Sequence, residues 1–193
     1  VSEGYRDEEQ ERTMFRRALG WLEAYLAEAD PHDEPVGVER TVAARTQTLA
    51  LSGRVDRIDR RGAELVIVDY KTGRSELTSD DARGSRALAL YAYSAERTFR
   101  RECRRVELHH LPTGTVAAHE HTPESLARHV RRAEDTARDV VAAEQSLAEG
   151  RPADEAFPAR SGPWCGWCDY RRTCPEGSAA AAPKEPWAGL AAG

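Results

Sequence analysis

Lysine is almost missing from this chain. Of its 28 basic residues only Lys71 and Lys184 are lysines and the rest are arginines, so a lysine inside a motif is worth weighing as chemistry. Long apolar runs are missing too, which excludes a membrane-spanning helix from the reading. The opening VSEGYRDEEQ has no apolar core of a signal peptide, so neither a leader nor an anchor is read here, and a reducing cytoplasm is the expected location. Cysteine is scarce. Four cysteines in such a compartment argue against a disulfide framework, and three of them, Cys165, Cys168 and Cys174, cluster as metal or cluster ligands would. No charge sign dominates: 28 basic against 33 acidic residues leave a net charge of −5. That excludes a uniformly cationic nucleic-acid coat protein but not a nucleic-acid enzyme whose cations sit on one face.

What is present is enough apolar material, 40% of 193 residues, for one domain of ordinary size. From Arg12 to Ala29 apolar residues fall at Phe15, Ala18, Leu19, Leu22, Tyr25 and Leu26, the spacing of an amphipathic helix. Three strands follow, Val36 to Ala44, Leu49 to Asp59 and Glu64 to Tyr70. The last carries the continuous run Leu65-Val66-Ile67-Val68 of a strand buried on both faces. Helical spacing returns over Ser79 to Arg100, with Gly84 as a weak spot, and a hairpin is expected from Val106 to His119 around Pro112-Thr113-Gly114. Thr122 and Pro123 then form the N-cap and first turn of a long helix reaching toward Gly150. The expected organisation is an N-terminal helix in 1–30, a core over 31–160, a cysteine-rich module at 161–176 and a disordered tail at 177–193.

The chemistry concentrates in two neighbouring strands. A two-residue turn at Gly62-Ala63 makes residues whose numbers sum to 125 face each other, so Asp56 lies opposite Asp69. Two like charges about 5 Å apart on one face are destabilising unless a cation lies between them, and a divalent metal would resolve the repulsion. The two-residue period of a strand puts Lys71 on the same face as Asp69. Hard oxygen ligands favour Mg²⁺ or Mn²⁺. Two carboxylates and an ammonium around such an ion suit phosphodiester hydrolysis. The plainer reading makes Asp56 and Asp69 strand-ending turn formers and Lys71 an exposed turn residue.

The segments GRVDRID, IVDYKTG and the helix LALYAYS resemble the RecB-like exonuclease branch of the PD-(D/E)XK nuclease superfamily, over roughly residues 36–175. The resemblance implies an α/β fold with a restriction-endonuclease-like core, a mixed sheet of about five strands flanked by helices. It also implies metal-dependent cleavage of DNA, exonucleolytic on single strands or duplex ends, in repair, recombination or defence. By the same resemblance Asp56 and Asp69 are metal-binding carboxylates, Lys71 is the catalytic lysine and the Tyr70 carbonyl is a further metal ligand. Tyr91 corresponds to the tyrosine of the Gln-x-x-x-Tyr motif, although Ala87 stands where the glutamine belongs; taken alone, Tyr91 reads as a core aromatic.

Cys165-x2-Cys168-x5-Cys174-Pro175, set among Trp164, Trp167 and Tyr170, has the spacing for thiolates to converge on one centre. In iron-sulfur members of this branch such a triad joins an upstream cysteine to hold a [4Fe-4S] cluster. Zinc closed by one of six histidines is the alternative. Cys103 reads as a buried thiol rather than the fourth ligand. The missing upstream cysteine and histidine suggest a fragment that works with upstream segments or a helicase, or a member without them; a nuclease-like module that only binds DNA is a further alternative.

Of the remaining polar residues, Glu39 is read either as an exposed strand position or as an auxiliary carboxylate. His109, His110, His119 and His121 are read as solvated, because alternation sends neighbours to opposite faces. Arg97, Arg100, Arg101, Arg104 and Arg105 either grip phosphates or close a solvated helix end.

Overall fold

The computed structural model describes residues 4–30 and 32–184, and the end of the expected tail, 185–193, lies outside them. The chain divides into two compact units, where the composition suggested one. Residues 18–138 form the larger, and the described residues of 1–17 and 139–193 form the other.

The larger unit is built on a five-stranded sheet, β1 (Gly37–Arg45), β2 (Ala50–Arg61), β3 (Glu64–Lys71), β4 (Cys103–His110) and β5 (Thr115–Glu120), in the spatial order of the chain. Gly62, at φ 64°, turns β2 tightly into β3. The register is the expected one, Arg61↔Glu64 through Ile58↔Ile67 to Arg57↔Val68. β3 and β4 run parallel, which requires a long crossover, supplied by α2 (Ser79–Gly84) and α3 (Arg86–Phe99). The other neighbours are antiparallel.

The helix expected over Ser79 to Arg100 is thus two helices. Thr78 caps α2 in a reciprocal capping box with Asp81, and Ser85, the residue after the weak Gly84, ends α2 and caps α3 by accepting from the Leu88 amide. Ser85 closes α2 through its backbone N–H on the Asp81 carbonyl and opens α3 through its hydroxyl, which interrupts what periodicity alone reads as continuous.

Central position explains the apolar run of β3: Leu65, Val66, Ile67 and Val68 are all at most 1% exposed. Ile67 and Leu65 join Leu88, Ala89, Ala92 and Ala95 of α3 in the core, with Val42, Val55, Ile58 and Val106. The opposite face carries charge. Glu107, 1% exposed, takes a bidentate pair from Arg61 at 2.6 and 2.8 Å, Arg105 at 2.6 Å and the His109 ring at 3.0 Å. Burial alone would raise this carboxyl, but the bonds from His109, Arg61 and Arg105 prevail and hold it well below the usual carboxylate range.

α1 (Glu8–Glu28) and α4 (Pro123–Ala148) form where the periodicity placed them. The apolar stripe of α1 is nevertheless largely open: Leu19, Leu22 and Leu26 are 45 to 67% exposed. Its anchored residue is Tyr25, edge-on to Tyr70 and His109 and hydroxyl to hydroxyl with Tyr70 at 3.1 Å.

The smaller unit includes α5 (Ala153–Ala156), two 3₁₀ turns over Pro163–Trp167 and Asp169–Arg172, and α6 (Pro175–Ala180). Residues 177–180 are therefore helical where irregular chain was expected. Arg171 ties this segment together, its Nε donating to the Ala181 carbonyl at 2.8 Å.

Gly53 on β2 sits under the Tyr91 ring of α3, and a Cβ there would stand 2.3 Å from Tyr91 Cε1. Gly53→Ala is expected to lower unfolding stability by about 1–3 kcal/mol in urea titrations. The cost should shrink in a Tyr91→Ala background, and an unchanged midpoint in the parent background would contradict this packing.

Candidate active site

β2 and β3 stop pairing where the two aspartates come abreast. The ladder ends at Arg57↔Val68, and Asp56 Oδ2 instead accepts the Tyr70 backbone N–H at 3.0 Å. A side-chain oxygen thus takes over a strand amide, satisfying the donor where two carboxylates would otherwise face each other. The β1 ladder also lapses at this level: no pair joins Glu39 to Asp56, and Glu39 has a φ of 49°, uncommon for a residue with a side chain. Val55 and Ile58 are both fully buried, so strict alternation breaks across Asp56 and Arg57.

Lys71 reaches back to Asp69, with Nζ 2.5 Å from Oδ2. The Asp69 side chain is 17% exposed and that of Lys71 47%. Oδ2 itself is sealed from solvent and has no aligned hydrogen bond, so the ammonium is a charge contact at its side. The structure therefore brings Asp56, Asp69, Tyr70 and Lys71 to one end of β3. Tyr91 lies elsewhere along β2, over Gly53, and joins the edge of the core, half-buried.

His110 belongs to this region and is buried, not solvated as strand alternation suggests. It neighbours Lys71 across the parallel ladder and is 1% exposed. Its Nε2 lies 2.7 Å from the Gly73 carbonyl, which only accepts, so Nε2 carries the proton and Nδ1 accepts from the Thr113 hydroxyl at 2.7 Å. The imidazole thereby pins the Thr72-Gly73 turn that follows Lys71, while the Lys71 carbonyl takes the Leu111 amide at 2.9 Å. The available signal was pairing: a histidine at the end of a strand beside a buried one has no solvent to face.

The other three histidines are also not the solvated set expected. His109 has its side chain 13% exposed on Glu107, His121 is 1% exposed, and His119 is half-buried against the His121 ring. The arginine run is mostly partnered: Arg97 lies over the Tyr93 ring, Arg104 pairs with Glu102 and Arg105 with Glu107, while Arg100 closes α3 in the left-handed region. Glu39 pairs with Arg54 at 2.6 Å.

Among the described residues no three His, Cys, Asp or Glu side chains gather as ligands of one metal ion. For the cysteines, the convergence that their spacing suggested is not seen among the described residues. Cys165 Sγ accepts the Gly162 amide at 3.4 Å, Cys174 Sγ accepts the Gly177 amide at 3.3 Å as the cap of α6, and Cys168 is exposed. Amide bonds orient two of the three thiols locally, and no gathered ligand set for an iron-sulfur cluster or a zinc ion is present among the described residues. Cys103 is buried as expected, and burial, aided by the charges of Glu96 and Glu64, pushes its thiol up to about 12.

The oxygen donors of the first site do fit a hard divalent ion. Asp56 and Asp69 offer carboxylates, Asp69 Oδ2 is buried without a hydrogen bond, and the Tyr70 backbone lies between them. Sheet, crossover and carboxylate pair together define an α/β domain of the restriction-endonuclease-like kind. Residues 3–175 match the PD-(D/E)XK nuclease superfamily, and the chain belongs to that superfamily, whose members are phosphodiester-cleaving nucleases. None of the curated proteins compared with the chain matches it.

Alkylation followed by mass spectrometry checks the cysteine assignment. Cys168 should react first and Cys103 last in the native chain, following exposure and thiolate availability. Joint protection of Cys165, Cys168 and Cys174, released by a chelator, would contradict it.

Proposed function

We propose that this chain is a divalent-metal-dependent deoxyribonuclease of the RecB-like branch, acting exonucleolytically on single strands or duplex ends. Asp56, Asp69 and the Tyr70 carbonyl would hold Mg²⁺ or Mn²⁺. The observation that carries the reading is the Lys71 ammonium 2.5 Å from Asp69 Oδ2, beside an Asp56 carboxylate that has broken strand pairing to reach the Tyr70 amide.

Such an ion, when bound, supplies Lewis-acid polarisation of the phosphate and acidifies a water molecule. The chain's residues do the rest. Lys71, released from Asp69, holds the attacking water in line or stabilises negative charge growing on the phosphoryl oxygens. Asp56 keeps the Tyr70 amide satisfied so that the strand end stays open, and His110 fixes the turn that aims Lys71. Tyr91, over Gly53 three residues along β2 from Asp56, would steady a nucleotide strand with its ring. The segments GRVDRID, IVDYKTG and LALYAYS support the RecB-like assignment and, through it, a role in repair, recombination or defence. Ala87 in place of glutamine favours one variation, a nuclease whose substrate placement is completed by upstream segments or a helicase.

The test is degradation of end-labelled single-stranded and duplex DNA in Mg²⁺ or Mn²⁺. Lys71→Ala and Asp69→Ala should keep the fold by circular dichroism and lose on the order of 10³-fold in rate. Cleavage that survives both substitutions would place the chemistry elsewhere. A folded parent chain that cuts only when upstream segments are supplied would establish the variation.

A further inference from the structure

A second polar site lies where β5 runs into α4, two strands away from β3. His119 pairs with Val106, two residues along β4 from the Leu108 that neighbours Asp69. Strand spacing and rise then separate the two places by roughly 12 Å. Here three imidazoles stack edge to face, His119 on His121 at 4.7 Å and His121 on His129 at 5.3 Å between ring centres. His121 is 1% exposed and His129 9%. His121 Nδ1 meets the Ser125 hydroxyl at 3.0 Å, but His121 Nε2 and His129 Nδ1 are buried without any hydrogen-bond partner. Both nitrogens are closed to solvent, as is the unpartnered Nδ1 of His109 elsewhere, so the stack is a polar cluster that the chain's own groups leave incomplete beside the cavity.

The charge around the cluster names the ligand's sign. A cavity of about 420 Å³ is lined by His119 and His129 together with Arg83, Arg128 and Arg132. Arg128 and Arg132 form no ion pair among the described residues, and Arg83 reaches only the exposed Asp80 at 3.0 Å. Glu120 is the carboxylate in the lining, with Glu124 nearby in the first turn of α4. Arg86 and Arg104 add to the positive field from α3 and β4. Burial, reinforced by the neighbouring rings and arginines, pushes His121 down to about 4 and lowers His119 and His129. Burial and surrounding positive charge both disfavour the charged rings, and an anion entering the cavity would oppose that effect. The imidazoles do not gather as ligands for a cation.

We propose that this cavity binds a phosphate group, gripped by the exposed guanidinium groups of Arg128 and Arg132 beside the His129 ring, at a site separate from Asp56, Asp69 and Lys71. Guanidinium forks match phosphate oxygens in pairs, and the N-terminus of the 26-residue α4 adds its positive end. The phosphate belongs either to a nucleic-acid backbone or to free orthophosphate. The site goes beyond the metal-dependent chemistry and does not rest on it.

The experiment uses the full chain in EDTA, so that neither metal nor cleavage intervenes. Orthophosphate is titrated at pH 7 by calorimetry while histidine ring resonances are followed by NMR. A short single-stranded oligonucleotide is titrated by fluorescence anisotropy across a salt series. In an Arg128→Gln/Arg132→Gln variant, whose altered side chains are exposed and should leave the fold intact, orthophosphate affinity should fall about tenfold or more and the His129 shift should vanish. A parallel loss for the oligonucleotide, with its log–log salt slope reduced by about 2, identifies backbone phosphate. A loss confined to orthophosphate identifies the free anion. Ring resonances unmoved by either ligand, with equal affinities for parent and variant, would overturn the proposal.

Discussion

Two carboxylates on adjacent strands cannot face each other across a regular ladder without a charge between them. In this fold the register set by the Gly62 turn carries Asp56 toward Asp69 residue by residue, and the pairing gives way just before they meet. The repulsion is relieved twice. Asp56 turns to the Tyr70 amide, a donor the ladder has left unpaired, and Asp69 takes the Lys71 ammonium. Everything else at this end of the sheet keeps that arrangement in place. β3 is buried on both faces, so its end cannot slide, and His110 clamps the turn beyond it to the β4–β5 connection.

The same economy of charge recurs on the other face of the sheet, where Glu107 is buried beneath two arginines and a histidine. A buried carboxylate is tolerable only when its oxygens are filled by donors, and here they are. The contrast with the cavity between β5 and α4 is instructive. There the donors and arginines are present, the carboxylates are few, and two ring nitrogens stay unsatisfied. The Glu107 carboxylate is filled by donors, whereas the cavity gathers arginines with few carboxylates, a balance that suits an anion.

Much of this was legible in the residues. The β2–β3 register follows from a two-residue turn, the double burial of β3 from four consecutive branched residues, and the meeting of Asp69 with Lys71 from a spacing of two. What escaped depended on neighbours that local pattern does not encode. The alternation rule correctly separates His109 from His110, yet both find buried partners, because the parallel β4 is covered on both sides. Ser85 split a periodic helix in two by capping its second half. The cysteine spacing permitted convergence, yet Cys165 and Cys174 each take an amide three residues away, those of Gly162 and Gly177, at the start of a short helix. Tyr91 lies on its predicted apolar face and also covers Gly53, a close approach visible only in three dimensions.

The central claim is that Asp56 and Asp69 form a divalent-ion site that Lys71 guards from one side. Mn²⁺ titration followed by electron paramagnetic resonance tests it directly, because free ion is counted without any need for turnover. The account predicts a saturable site in the parent chain, retained in Lys71→Ala and lost in Asp56→Asn/Asp69→Asn with the fold preserved. Undiminished Mn²⁺ binding by the doubly substituted chain would contradict it.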